Sequence, residues 1–168
     1  MLKKLILALF LLILAAGSAS AHGDISNLPD SVQIMQYKML LYMDPDDAET
    51  KNKLAMVYFR TDQPELTVQE LKGVLAKDVH NFNALDGMGI LLLRQRKAEE
   101  ALHYLQQALA VNDKDAMLHA HLALAYEQLG QADQAAASLK KAEELFSGPD
   151  AAAAIQKELK LIKGSPAK

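Results

Sequence analysis

Five histidines are the residues of this sequence best suited to metal binding or acid–base chemistry. His119 and His121 lie two residues apart in a helical pattern, so their side chains point to different faces and cannot share one ion. His103 lies in another helical segment, and His80 lies in a loop between two such segments. We therefore predict no metal site in the folded region and no bound cofactor.

His22 is a special case, because removal of a leader is expected to make it the mature N-terminus. A free α-amine beside an imidazole can chelate copper, and Asp24 is close in sequence. Nothing else in the chain completes such a site. Copper handling through His22 is therefore kept as an alternative function.

No pattern typical of catalysis is present. Cysteine is absent, which excludes disulfides, a thiol nucleophile, cysteine-ligated zinc and iron–sulfur sites, and covalent haem attachment through a cysteine pair. Gly87-Met88-Gly89 lies in a helical pattern without a preceding strand, so it is not a phosphate-binding loop. Glu99 and Glu100 suit the first turn of a helix, where the helix dipole favours negative charge. We predict that the protein is not an enzyme.

The composition favours an all-α protein. The chain has 168 residues, 51% of them hydrophobic, and a net charge of −3. Alanine, leucine, glutamine, glutamate and lysine dominate, and these residues favour helices over strands. A mildly acidic chain without a basic stripe is not expected to bind nucleic acid.

The N-terminus has the pattern of a signal peptide. Two lysines at 3–4 precede an apolar run over 5–16, and small residues follow at 19–21. The apolar run is shorter than the roughly 20 residues that a membrane-spanning helix needs. We predict cleavage after Ala21 and a periplasmic or secreted mature protein that does not span the membrane.

A period of 34 residues organises the rest of the chain. Segments beginning at Ala48, Phe82 and Ala116 align without gaps. Equivalent positions carry similar residues in the three segments: Leu54, Met88, Leu122; Ala55, Gly89, Ala123; Tyr58, Leu92, Tyr126; Thr67, Ala101, Ala135; Leu71, Leu105, Leu139; Val74, Ala108, Ala142. The small residues of the second triplet would let the two helices of each hairpin approach closely.

This pattern resembles the tetratricopeptide repeat, which reads Leu-Gly-x-x-Tyr, then Ala, a large apolar residue and Ala. The proline that usually closes a unit is replaced by Val79, Asp113 and Ser147. The resemblance implies an all-α, tandem helix-turn-helix solenoid that coils as a right-handed superhelix. The helices are expected at 48–61, 65–77, 82–95, 98–111, 116–129 and 132–146.

A single helix is expected at each end of the array. Residues 30–43 match the second helix of a unit whose first helix is missing. A last helix over 150–163 has one apolar side, formed by Ile155, Leu159 and Ile162, and is expected to cap the array with its charged residues in water. The chain is thus divided into a leader (1–21), a linker (22–29) and a half-repeat (30–46). Three repeats follow (48–81, 82–115 and 116–149), and then a capping helix (150–163) and a tail (164–168).

In the family that this chain resembles, the first helices of the hairpins line a concave groove that holds ligands. The resemblance places these residues in such a groove: Asn52, Lys53, Met56, Phe59, Arg60, Asn83, Asp86, Ile90, Leu93, Arg94, Met117, His121, Leu124, Glu127 and Gln128. Met56, Ile90 and Leu124 share one repeated position and are expected to form an apolar floor exposed to water, widened by Phe59 and Leu93. Exposed apolar surface of this kind usually marks an interaction site, unless an end helix covers part of it.

Arg60 and Arg94 lie one period apart at the rim of the predicted groove. A guanidinium offers bidentate hydrogen bonds, so both are candidates to bind acidic side chains or a C-terminal carboxylate. Family members that bind chaperone C-termini use a Lys/Asn/Lys/Arg clamp. The matching positions here are Asn52, Met56, Gly87, Met117 and His121. That clamp is missing.

The sequence therefore predicts a non-catalytic adaptor or assembly factor that holds a peptide or helix of a client protein. At the level of the family, cytochrome c maturation and assembly of envelope complexes are the processes suggested. A self-assembling scaffold that forms homo-oligomers through the same apolar surfaces is the other alternative.

Overall fold

The computed structural model describes residues 25–146, 148 and 150–164. The predicted leader, His22 and most of the tail lie outside these residues. A short 3₁₀ helix, Ile25–Asn27, precedes eight α-helices, and no strand occurs in the described ranges. The helices are α1 (Asp30–Met43), α2 (Ala48–Arg60), α3 (Pro64–Leu75), α4 (Phe82–Arg94), α5 (Ala98–Val111), α6 (Ala116–Gln128), α7 (Ala132–Leu145) and α8 (Ala151–Lys163). Each lies where the sequence predicts it, with ends that differ by at most two residues.

The first helix of each hairpin begins at a capping residue that recurs with the period. Asp47, Asn81 and Asp115 precede α2, α4 and α6, and each side chain accepts a hydrogen bond from a backbone N–H of the first turn. These bonds satisfy donors that a helix leaves unpaired at its N-terminus, so they fix where each hairpin starts. The three caps were not among the residues singled out from the sequence, although their 34-residue spacing is visible there.

The turn inside each hairpin has the same backbone in all three repeats. Asp62, Arg96 and Gly130 have φ values of 58°, 61° and 71°. In the first repeat, the N–H of Gln63 then donates to the carbonyl of Tyr58 at 2.9 Å, and the equivalent bond recurs in the other two. Only Gly130 adopts this left-handed conformation without steric cost. The repeated geometry therefore holds even where the sequence departs from glycine.

Close approach of the two helices in the central hairpin depends on Gly89. A Cβ atom at this position would lie 2.6 Å from Cγ of the fully buried Leu105. The expectation that a small residue is needed here is confirmed.

Substituting Gly89 by alanine should lower the free energy of unfolding by about 1–3 kcal/mol, because overpacking outweighs the better helix propensity of alanine. Gly73→Ala is the matched control, since its Cβ would meet only the side-chain nitrogen of Lys51 at 3.7 Å. That control should stabilise the protein by up to about 1 kcal/mol. Urea unfolding measures both changes, and a stabilising Gly89→Ala would contradict the close packing.

The hairpins stack so that their first helices form the inner layer. Helix α2 contacts α4, and α4 contacts α6, while α3, α5 and α7 each pair with the first helix of their own hairpin. Helix α1 packs against α2 as the predicted half-repeat. The all-α solenoid predicted from the sequence is confirmed. No helix in the described ranges is both long enough and apolar enough to cross a membrane.

Helix α8 does more than cap the end of the array. It contacts α7, but it also lies on α4 and α6, the inner helices of the second and third hairpins. The last helix of the described residues therefore returns into the concave side of the repeats that precede it. This position decides how much of the groove is left open.

Candidate functional site

The apolar side of α8 covers the apolar residues of the groove. Ile155, Leu159 and Ile162 are 1%, 7% and 0% exposed, and they belong to one buried cluster with Ile90 and Leu124. Ile90 and Leu124 are themselves only 2% and 1% exposed. The predicted water-exposed floor is therefore wrong at these two positions, because a helix of the same chain already removes them from water.

The residues expected to widen the floor are also internal. Phe59 and Leu93 are 1% and 0% exposed and belong to the same cluster. Met117 is half-buried and packs against that cluster, whereas Met56 is half-buried and still reaches open space. Among the predicted apolar groove residues, Met56 is thus the one that a ligand could contact most directly.

Arg94 holds the C-terminal end of α8. Its Nη2 donates to the carbonyl of Leu161 at 2.8 Å, and its Nη1 donates to the carbonyl of Phe59 at 2.5 Å. The guanidinium carbon lies 3.4 Å from the centre of the Phe59 ring, a cation–π contact. Burial lowers the pKa of Arg94. This side chain therefore serves an internal helix end, and the prediction that it binds a ligand carboxylate lacks support in the geometry.

The same position in the other repeats also makes internal bonds. Arg60 Nη2 lies 2.8 Å from Asp30 Oδ1 and donates to Gln33 Oε1 at 3.2 Å, which ties α2 to α1. Gln128 Nε2 donates to the carbonyl of Leu93 at 3.0 Å, which ties α6 to α4. These side chains join successive repeats, a role that the sequence interpretation did not assign to them.

An open trough of about 980 Å³ remains between α1 and α8. Its base is formed by α2 and α4, and its far wall includes one side chain each from α6 and α8. Eight of the predicted groove residues line it: Asn52, Lys53, Met56, Arg60, Asn83, Asp86, Ile90 and His121. The others, Phe59, Leu93, Arg94, Met117, Leu124, Glu127 and Gln128, do not. The trough also contains residues that the sequence interpretation missed, notably Tyr37, Asn81 and Glu158.

His121 is a deeply buried polar side chain of the trough wall. It is 3% exposed, its Nδ1 lies 2.7 Å from Asp86 Oδ1, and its Nε2 lies 3.9 Å from Glu158 Oε1. Burial acts to lower the pKa of His121, but the charge and hydrogen bond of Asp86, together with Glu158 and Asp115, outweigh it and raise this pKa. His121 thus links α6 to α4 and to α8.

The basic side chains of the trough are already paired. Lys53 Nζ lies 2.6 Å from Glu49 Oε1, and this bond raises the pKa of Lys53. Arg60 pairs with Asp30, as described above. Within the described ranges, no three acidic, histidine or cysteine side chains lie close enough to hold a metal ion. Copper binding at His22 lies outside the described residues and stays a prediction.

A second exposed apolar surface lies on α1. Met35, Met39, Tyr42 and Met43 are 59%, 43%, 72% and 64% exposed and share one side of the helix. One and two periods later, the equivalents of Met35 are Gln69 and His103. We call these four residues the α1 methionine face.

The architecture defines a solenoid of stacked helical hairpins whose inner helices carry a ligand-sized trough. A family profile described as Tetratricopeptide repeat matches residues 118–147. The third hairpin thus matches the tetratricopeptide repeat, and the two hairpins before it repeat its helix lengths and its turn. That prediction from the sequence is confirmed, and the fold is one that serves protein–protein interaction or scaffolding.

Solved structures agree with this assignment. TTC0263, a thermophilic TPR protein of Thermus thermophilus, is 26% identical, with a TM-score of 0.66 over 77% of this chain and 74% of its own. A crystal structure of MamA is 24% identical, with a TM-score of 0.61 over 79% of this chain and 80% of its own. MamA MSR-1 is 25% identical, with a TM-score of 0.56 over 69% and 67%. No curated protein matches the chain.

Proposed function

We propose that this protein is an exported, non-catalytic adaptor that holds a segment of a client protein in the trough between α1 and α8. The observation that carries the proposal is the trough itself, an open cavity of about 980 Å³ on the concave side of the repeats. Its volume is at the upper end of the range typical of ligand sites. It combines an accessible apolar side chain, Met56, with polar groups from five helices.

The trough is better suited to a client than the covered part of the groove. Over α4 and α6, a ligand would have to displace α8 and its three buried apolar side chains. Over α2 and α4, no such displacement is needed. Export rests on the leader pattern in residues 1–21. Cytochrome c maturation and assembly of envelope complexes remain the processes that we propose for it.

The proposal can be tested by placing a photo-crosslinking amino acid at Asn83, an exposed residue of the trough. Crosslinked partners from the envelope of the native host would be identified by mass spectrometry. The same amino acid at Gln69, on the outer helix α3, is the control. Equal crosslinking at both positions would contradict the trough as the binding site.

Met56→Asp should weaken binding of a peptide from the identified partner by about 2 kcal/mol, the size of an interface hot spot, because it puts a charge on the apolar part of the trough. Gln69→Asp should leave the affinity unchanged. Isothermal titration calorimetry measures both, and circular dichroism confirms that both variants keep their helices. If the Met56→Asp variant binds the peptide with unaltered affinity, Met56 is not part of the binding site.

A self-assembling scaffold is the second candidate, and the α1 methionine face favours it. Methionine and tyrosine side chains in this number on one exposed helix face can pack against another molecule. Such a scaffold would sediment in a concentration-dependent way. An adaptor without this activity would sediment as one species at all concentrations.

A further inference from the structure

The trough holds two carboxylates that share a single histidine as their basic partner. Its two basic side chains, Lys53 and Arg60, each lie in an ion pair with a carboxylate. Asp86 and Glu158 also line the trough, and within the described ranges neither forms an ion pair with a lysine or arginine. Their nearest charged partner is His121, which lies between them.

One deeply buried acceptor atom in the trough wall lacks a partner. Asn52 is 7% exposed, and its Nδ2 donates to Asn81 Oδ1 at 3.0 Å, while its own Oδ1 has no partner. Asn81 Oδ1 also accepts from the N–H of Ala84 at 3.1 Å, so it is an acceptor, and the amide nitrogen of Asn52 must face it. The carbonyl oxygen of Asn52 is therefore the atom left free.

Nε2 of His121 also has no hydrogen-bond partner, and it lies 3.9 Å from Glu158 Oε1. Nδ1 of His121 donates to Asp86 at 2.7 Å, and the raised pKa of His121 favours the imidazolium, in which Nε2 is a donor and not an acceptor. Asn52 Oδ1 is therefore the buried acceptor that lacks a donor. Burying it unpaired costs free energy, so a ligand that supplies a donor there would be favoured.

The complement of two carboxylates and a free acceptor is a cation with several N–H donors. A lysine ammonium offers three donors and an arginine guanidinium offers five. Met56 lines the same cavity and can contact the methylene stem that carries such a group. A carboxylate ligand would instead meet Asp86 and Glu158 and be repelled.

From this arrangement we propose that the trough binds a lysine or arginine side chain of the client segment, with Asp86, Glu158 and Asn52 as its polar partners. The inference rests on the proposed function and names the chemistry that the client must present. It predicts that clients are recognised through an internal basic residue flanked by apolar ones, and not through a C-terminal carboxylate.

The first arm of the test uses small probes on the full mature chain. n-Butylammonium and n-propylguanidinium are titrated while nuclear magnetic resonance follows the His121 ring and the Asn52 side-chain amide. 1-Butanol and butyrate, with the same carbon stem, are the controls. Both cations should shift the two signals saturably, and the controls should not. Shifts from butyrate alone, or from none of the probes, would overturn the proposal.

Substitutions of the two carboxylates test whether the cations bind at this site. Glu158→Gln and Asp86→Asn should each weaken cation binding by about tenfold, the effect of losing one charge-assisted hydrogen bond. Glu143→Gln, an exposed substitution on α7, should have no effect. Glu158→Gln keeps the test valid if Asp86→Asn disturbs the fold through His121. Unchanged binding in a folded Glu158→Gln protein would contradict the assigned site.

The second arm uses a positional library of short peptides with blocked termini, so that side chains supply the only charges. Bound peptides should be enriched in lysine or arginine at one position, and Glu158→Gln should remove the enrichment. Peptides that bind in the trough without this enrichment would refute the cation preference and leave the adaptor function intact. If n-butylammonium binds but no peptide does, the cation that the trough accepts is not a side chain of a client segment. No peptide binding at all would count against the adaptor function itself.

Discussion

Replacing Ile162 by aspartate is expected to release α8 from the groove while the three repeats stay folded. Ile162 is 0% exposed, and an unpaired carboxylate cannot remain in the apolar cluster that surrounds it. Within the described residues, α8 follows the three hairpins and is not inserted between two of them, so it can leave as a unit. The loss is limited to the free energy that docks α8 on the repeats, because the three hairpins keep their own packing.

Hydrogen exchange would measure this outcome directly. Amides of α8 should exchange as in an unstructured segment, while those of α4 and α6 keep most of their protection. A hydrophobic dye should bind the newly exposed Ile90 and Leu124. Leu161→Asp is the matched control, because Leu161 is the neighbouring residue and is 37% exposed. Loss of protection in all helices at once would show that α8 is not separable from the fold.

The same type of substitution at Leu105 should instead unfold the array. Leu105 is 0% exposed in the central hairpin and lies against Gly89. No helix can move aside without opening the hairpin, so the cost of about 4–5 kcal/mol falls on the whole structure. That is comparable with the total stability of many domains, about 5–15 kcal/mol.

Circular dichroism and urea unfolding would measure this loss. Leu105→Asp should have little helical signal or a much lower unfolding midpoint. Gln106→Asp, at the adjacent exposed position of α5, should remain close to the parent protein. A folded Leu105→Asp protein with normal stability would mean that the hairpins do not pack as described.

The solenoid was predictable because its signals repeat. A single small residue such as Gly89 or a single turn such as Gly130 is weak evidence, but three equivalents at a fixed period leave few alternatives. Each hairpin must also bury one apolar side against its neighbours, which fixes the stacking order. The local departures at Asp62 and Arg96 changed nothing, because the turn hydrogen bonds recur regardless of the side chain.

The exposed part of the groove was predicted incorrectly because coverage by an end helix was kept only as the alternative to an open apolar floor. The sequence showed the apolar side of α8 and the apolar residues of the groove, but not that each covers the other. A clue was available in α7, whose outward positions include Ala136, Lys140 and Glu143. Such a surface gives the apolar side of α8 little to bury against, whereas Ile90 and Leu124 offer more.

The roles of Arg60 and Arg94 illustrate a different limit. Their spacing identified a repeated position but not its partner. Arg94 donates to the backbone carbonyls of Phe59 and Leu161. Every residue type has such a carbonyl, so the sequence does not indicate which ones will accept. Long-range hydrogen bonds to backbone atoms depend on how the repeats stack, so they follow only from the assembled structure.

The α1 methionine face has a consequence for oxidative chemistry. Met35, Met39 and Met43 present their thioethers to solvent, whereas Met88 is 4% exposed. Peroxide would therefore convert the exposed thioethers to polar sulfoxides before it reached the interior, and the fold would survive the change. Any association formed through this face would weaken on oxidation and recover on enzymatic reduction, which would place the assembly state of the protein under redox control.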